Sequence, residues 1–147
     1  MKKLTTILIA CFFLFACAPE DNRSITFLDA RVNDTIHLFN TFHVDSHDFT
    51  TPDYAYTEIT VTASIERSPE RVIGFTVEQY LLGTEACYYF VYIDDGISYE
   101  KFDDSFVFTV VENSATRLRG IFSGKLKSPQ TGEIINVTGG TFDVFHY

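Results

Sequence analysis

Tryptophan is absent from the 147 residues, methionine occurs once, proline four times and cysteine three times. Without indole rings, the core has to be filled largely by the 15 phenylalanines and 8 tyrosines. No Pro/Gly/Ser-rich linker, internal repeat or low-complexity tract divides the chain, so one domain is expected. No apolar run reaches the ~20 residues that a membrane-spanning helix needs. Basic residues are scarce: 11 Lys and Arg face 20 Asp and Glu, for a net charge of −9. That balance argues against nucleic acid and against charge-driven attachment to an anionic membrane. The motifs of several reactions are also missing. There is no nucleophile elbow for a serine triad, no glycine loop to cradle phosphate, and nothing that singles out two of the acids as a glycosidase pair. No cofactor is implied.

What is present begins at the N-terminus. Lys2 and Lys3 precede Leu4 to Ala16, which is apolar apart from Thr5 and Thr6. A basic flank, a short apolar stretch and a small residue before the cut are the parts of an export signal, expected over 1–16. Its end, Leu14-Phe15-Ala16-Cys17, resembles the lipobox read by lipoprotein signal peptidase, with Phe15 bulkier than usual. The resemblance implies a diacylglyceryl thioether on Cys17, often with an acylated amine. Buried acyl carbons hold such an anchor with ~0.8 kcal/mol per methylene. The alternative is an ordinary secretory signal and a free Cys17. Cys11 is a poor lipobox cysteine, because Leu8-Ile9-Ala10 leaves almost no apolar stretch before it. Cleavage before Cys17 leaves 131 of the 147 residues and takes the charge to −11 by removing Lys2 and Lys3.

With Cys11 removed and Cys17 lipidated, Cys87 is left alone and no intramolecular disulfide is possible. It sits in the apolar run Ala86-Cys87-Tyr88-Tyr89-Phe90-Val91-Tyr92 and reads as a buried, inert thiol. Residues 17–24 read as a lipidated tether. Its Glu20-Asp21 resembles the surface-export signal of Bacteroidota lipoproteins, and a plain solvated linker would look the same. The expected address is the cell envelope, anchored in the outer membrane, on its periplasmic or its outer side.

Residues 25–147 read as one β-rich domain. Ile59, Val61, Ala63 and Ile65 alternate with Thr60, Thr62, Ser64 and Glu66, which makes a half-buried strand. Leu118, Gly120, Phe122, Gly124 and Leu126 share one face. Arg117, Arg119, Ile121, Ser123, Lys125 and Lys127 share the other. Segments near 25–32, 36–44, 72–80, 86–93, 105–111, 134–138 and 141–146 are rich in Val, Ile, Thr, Tyr and Phe. Turns are expected at Val32-Asn33-Asp34, Ser68-Pro69-Glu70, Asp94-Asp95-Gly96, Glu112-Asn113-Ser114, Ser128 to Gly132 and Gly139-Gly140. No long amphipathic helix is found. The pattern predicts an all-β fold, an antiparallel β-sandwich or flattened barrel of about eight to ten strands.

The closing third carries a resemblance. Leu118-Arg119-Gly120-Ile121-Phe122-Ser123-Gly124-Lys125-Leu126 is followed by Thr131-Gly132-Glu133-Ile134-Ile135-Asn136-Val137-Thr138-Gly139-Gly140-Thr141-Phe142-Asp143-Val144. This resembles the last two strands of a family of small Bacteroidota lipoproteins of unknown function, the domain-of-unknown-function 6252 family. Ala30-Arg31-Val32-Asn33 resembles its opening strand, and Gly83-Thr84 and Tyr92 its Gly-Thr-Tyr-like turn and later tyrosine. Glu85 and Ile121 depart from the pattern. The resemblance covers about Ile25 to Tyr147. It implies a β-rich fold and a lipoprotein address, and no catalytic residues.

Three side-chain groups merit weighing. His37, His43, Asp45, His47 and Asp48 hold imidazole and carboxylate donors, and His43, Asp45 and His47 fall on one strand face, as a zinc site needs. The run then enters Phe49-Thr50-Thr51-Pro52-Asp53, which reads as a loop, so a solvated strand end is the plainer account. Asp94, Asp95, Glu100, Asp103 and Asp104 offer oxygen donors for calcium without the EF-hand spacing. Tyr88, Tyr89, Tyr92 and Tyr99 suggest a ligand platform, although Tyr89 and Tyr92 have opposite parity. Asp34-Thr35-Ile36 also matches the short O-glycosylation sequon of Bacteroidota. The leading expectation is a non-enzymatic envelope lipoprotein, a binding or interaction module. Its partners are the membrane, through Cys17, and a protein or glycan ligand, with Tyr89 and Tyr92 as ligand-binding candidates. The alternative is a metal-dependent hydrolase using the His43 to Asp53 region.

Overall fold

The computed structural model describes residues 25–147; the signal segment and the tether with Cys17 lie outside the described residues. Ten strands follow one another: β1 (Phe27–Val32), β2 (Thr35–Phe39), β3 (Thr41–Thr50), β4 (Ala55–Ile65), β5 (Ser68–Glu78), β6 (Cys87–Asp94), β7 (Ile97–Lys101), β8 (Val107–Asn113), β9 (Arg117–Lys127) and β10 (Ile134–Phe145). A single 3-10 turn, Thr84–Ala86, precedes β6. All pairings are antiparallel. The sheet runs β2-β1-β10-β9-β7-β6-β5-β4-β3, with β8 also on β9, and curls into a half-barrel. The expected all-β antiparallel class is the one observed.

The sheet ends on β2 and β3, and these are consecutive strands separated only by Asn40. The Asn40 N–H donates to the Ser64 carbonyl at 3.0 Å, and its Oδ1 accepts the Glu66 N–H at 2.9 Å. One bent stretch of chain thus pairs first with β1 and then with β4. At β9 the sheet forks. Leu126 and Lys127 pair with β7, while Leu118 to Ser123 pair with β8.

Alternation does the folding work. Ile59, Val61 and Ala63 are fully buried, as are Leu118 and Leu126, while Ile121 is 53% exposed. The tryptophan-free core is a phenylalanine cluster. Phe75, Phe108 and Phe142 stand 5.0 Å apart pairwise, and Phe90 lies 4.6 Å from Phe106 and 5.1 Å from Phe122. Glycines on β9 and β10 make room for it. Phe142 pairs with Gly120, and Phe122 with Gly140, so that each ring lies over the facing glycine.

Gly139-Gly140 and Ser68-Pro69-Glu70 depart from expectation, while Asp94-Asp95-Gly96 meets it. Gly139-Gly140 is a bulge inside one long β10: between Val137↔Gly124 and Gly140↔Phe122 it carries one residue more than β9. Gly139 takes φ of +60°, which absorbs the extra residue without reversing the chain. Ser68-Pro69-Glu70 begins β5 instead of turning, with Pro69 at the strand start where its missing donor does little harm. Asp95 and Gly96 do turn, with φ of 50° and 80°, and the hairpin they close adds β7, a strand too short to announce itself.

Candidate functional site

The outer face of β3 to β6 concentrates the exposed aromatic side chains. Since Ile59, Val61 and Ala63 point inward, Tyr56, Glu58, Thr60 and Thr62 of β4 point outward. Register then sets their neighbours. Tyr56 faces Phe49, and Glu58 faces His47 on β3 and Glu78 on β5. Tyr54 stacks on Tyr56 (centroids 5.4 Å apart), Tyr56 on Phe49 (5.2 Å), and His47 meets the edge of Phe49 (4.8 Å). The Thr51–Tyr54 turn, closed by the Tyr54 N–H on Thr51 Oγ1 at 3.1 Å, places the first ring. Its hydroxyl donates to Glu78 Oε1, and that carboxylate raises the Tyr54 pKa above its ordinary value.

On β6, Tyr88 is an extra residue: Thr76 pairs with Tyr89 but Val77 with Cys87. The bulge turns Tyr88 outward beside Tyr89, so adjacent tyrosines are 45% and 48% exposed on one side. Burial, and after it the Glu58 carboxylate, pushes the Tyr88 phenol up. Beyond β5 the loop carries Tyr80, which adopts φ of +69° and is exposed. Asn113 holds this loop: its Nδ2 donates to the carbonyls of Glu78 (2.8 Å) and Leu81 (2.9 Å). Between the loop and β4 lies a cleft of about 360 Å³, lined by Tyr54, Tyr56, Glu78 and Tyr80 among others.

No Lys or Arg occurs between Arg31 and Arg67 or between Arg71 and Lys101. Arg67 and Arg71 lie toward the opposite end of β5 from Glu78. Two carboxylates therefore stand directly opposite each other with no Lys or Arg on the strands beside that end among the described residues; one imidazole, His47, faces Glu58 from β3. Such like-charge pairs destabilise a sheet.

The residues expected from sequence are distributed as follows. His43, Asp45 and His47 do share the outer face. His43 Nε2 and Asp45 Oδ2 are 2.9 Å apart in solvent, whereas His47 turns to Phe49. Among the described residues no group of three or more His, Cys, Asp or Glu is placed to hold a metal ion. Phe49 and Thr50 belong to β3 and not to a loop, because β4 is long enough to pair all ten residues of β3. His37 lies apart on β2, 6.4 Å from Tyr92, and burial, followed by Arg71, lowers its pKa.

The tyrosine group divides. Tyr89 is outside, but Tyr92 and Tyr99 are 1% and 5% exposed in the core, so the expectation of Tyr92 as a surface ligand-binding residue is corrected, and Tyr88 and Tyr89 are the exposed members of the group. The acidic group divides too: Asp94 accepts from Arg71 Nε at 3.0 Å, Asp95 forms the turn, and Asp103 accepts from the Ser105 N–H beyond the far end of β7. Cys87 is buried, its pKa pushed up to about 11 chiefly by burial.

No sequence motif marks Phe49, Tyr54, Tyr56, Glu58, Glu78 and Tyr80 as a group. The available signals were the period-two run Tyr54-x-Tyr56-x-Glu58 and the long gaps without Lys or Arg. Among the described residues no helix is long and apolar enough to cross a membrane. Compared with protein-family models, with curated proteins and with solved structures, the chain gives no match in any of the three.

Proposed function

We propose that this chain is an envelope lipoprotein anchored through Cys17, and that its β-rich domain is a non-enzymatic binding module whose ligand docks on the outer face of β3 to β6. The observation that carries the binding site is the stack of exposed Tyr54 on half-buried Tyr56 and Phe49, beside the cleft of about 360 Å³. Large amphipathic rings held in place are what recognition surfaces use. The anchor rests on the signal-like segment ending at Cys17 and on the resemblance of the closing strands to small Bacteroidota lipoproteins.

The two halves of the reading fit spatially. The Phe145 N–H donates to Thr26 Oγ1, so the chain enters the sheet beside the end of β10. β9 starts at that end, next to the Asn113 that holds the Glu78 loop. Residues 17–24 can span at most ~28 Å, which keeps this end of the domain near its anchor.

Intact mass and detergent-phase partition of wild type and Cys17→Ser test the anchor. Acyl mass and detergent partition are expected for wild type and are lost in the variant; an aqueous wild type without acyl mass refutes it. Envelope extract passed over wild type and Tyr56→Ala tests the face, and equal retention of every component by both refutes it. For the metal-dependent hydrolase, stoichiometric zinc lost on His43→Ala would be the supporting result.

A further inference from the structure

We infer that the occupant of this face is a cationic segment of a partner protein, with a Lys or Arg side chain seated on the tyrosine stack and its charge between Glu58 and Glu78. The inference rests on reading the face as the binding site and adds the class of ligand. Glu58 and Glu78 are directly opposed across β4 and β5. The rings beside them are Tyr54, Tyr56 and Tyr88, two of which direct hydroxyls or carboxylate neighbours into the same spot. Tyrosine faces attract ammonium and guanidinium groups, and the attraction grows as water is excluded. This domain already makes such contacts, with Arg117 5.2 Å from the Phe145 centroid and Lys127 5.7 Å from that of Phe102. Those rings have their own cations. The stack on β3 and β4 has no Lys or Arg over it: its imidazole neighbour is His47, and Arg71, the one guanidinium of β5, is engaged by Asp94 at 3.0 Å.

Charge complementarity then selects among ligands. A phosphate or carboxylate ligand would meet two opposed carboxylates. A neutral glycan would use the rings but would leave the repulsion between Glu58 and Glu78 unrelieved. A cation uses both features at once.

The test uses the full lipidated chain in detergent micelles, with octalysine and octaarginine as probes, read by calorimetry and by tyrosine ring resonances. Octaglutamate, a neutral oligosaccharide and vesicles with ethanolamine headgroups are the comparison probes. The basic peptides should bind, shift Tyr54 and Tyr56, and weaken as salt rises. Glu58→Gln, Glu78→Gln and Tyr56→Ala should each weaken binding on the order of tenfold. Glu100→Gln, which removes the same charge elsewhere, should change it less than twofold. Without ligand, Glu58→Gln should raise the melting temperature, since it relieves the opposed pair; this shows that loss of binding is not loss of fold. If Glu58→Gln and Glu100→Gln bind the peptides equally, attraction is diffuse and the inference is wrong. If the oligosaccharide or the vesicles shift Tyr54 and Tyr56 and the peptides do not, the face stands as a site and the cationic ligand is wrong. If no probe shifts those rings, the cationic ligand is again wrong, and an unchanged retention profile for Tyr56→Ala then removes the site as well.

Discussion

Phe122 lies across Gly140, with its ring carbons 2.5 Å from where a Cβ on that glycine would stand. Two residues away in each strand the arrangement repeats with the roles exchanged: Phe142 lies across Gly120. The aromatic rings thus occupy space left by side chains that are not there. Gly120→Ala and Gly140→Ala are expected to destabilise the domain by about 1–3 kcal/mol, the usual cost of overpacking. Gly120→Ala should be the worse, because the added carbon also meets the Thr109 carbonyl, a backbone atom that cannot swing aside. Urea midpoints will report this. A midpoint for either variant equal to that of wild type would contradict the packing described.

Asn113 connects the core to the loop beside the aromatic outer face. Replacement by Ala removes the side-chain donor from the Leu81 carbonyl and leaves the Glu78 carbonyl only the longer bond from the Leu81 N–H at 3.3 Å, which should cost about 1–3 kcal/mol. The more specific consequence is local. Amide exchange over residues 79–83 should quicken more than exchange in β9, since Asn113 is the side chain that ties this loop to β8. Uniform quickening throughout the sheet would show that Asn113 has only a global role.

Cys87 should resist alkylation. Its thiol is buried, donates to the Tyr89 carbonyl at 3.1 Å, and is pushed up to about 11 chiefly by burial. In a chain with Cys11 and Cys17 changed to Ser, iodoacetamide at pH 8 should label Cys87 only as fast as the domain opens, and promptly in denaturant. Prompt labelling of the native form would place the thiol in solvent.

Acid should loosen the C-terminus. His146 is buried, its Nε2 has no partner among the described residues, and burial lowers its pKa below the ordinary 6.5. The unfolded chain therefore takes up the proton before the folded one does. Stability should hold above pH 6.5 and decline as pH falls from there toward the lowered folded value, with His37 contributing in the same sense. His146→Phe should flatten the profile of the urea midpoint between pH 7.5 and 5.5. An unchanged profile in that variant would assign the decline to other groups.

Much of the sheet can be read locally. The inward Ile59, Val61 and Ala63, the glycine-punctuated face of β9, and the opposite parity of Tyr89 and Tyr92 all follow from period two, which needs no knowledge of neighbours. The aromatic outer face is different. Phe49, Tyr56, Glu58, Glu78 and Tyr88 come from four strands, and only the registers Phe49↔Tyr56 and Glu58↔Glu78 bring them together. Register depends on loop lengths and bulges between distant segments, so single-strand patterning does not contain it. The same holds for Gly139-Gly140, where a glycine pair suits a reversal and a bulge equally well.

Because β1 lies between β2 and β10, the earliest of the ten described strands waits for the latest. Phe27 finds its partner in Asp143 only when nearly the whole chain is available. Closing so long a loop is slow relative to local hairpins such as β3–β4 and β4–β5. A chain passing N-terminus first through any narrow channel would accordingly emerge with its hairpins formed and its sheet still open, and would complete the sheet once β10 is released. Truncation of β10 should trap that half-assembled form, leaving β1 without a neighbour on one side and the phenylalanine cluster uncovered.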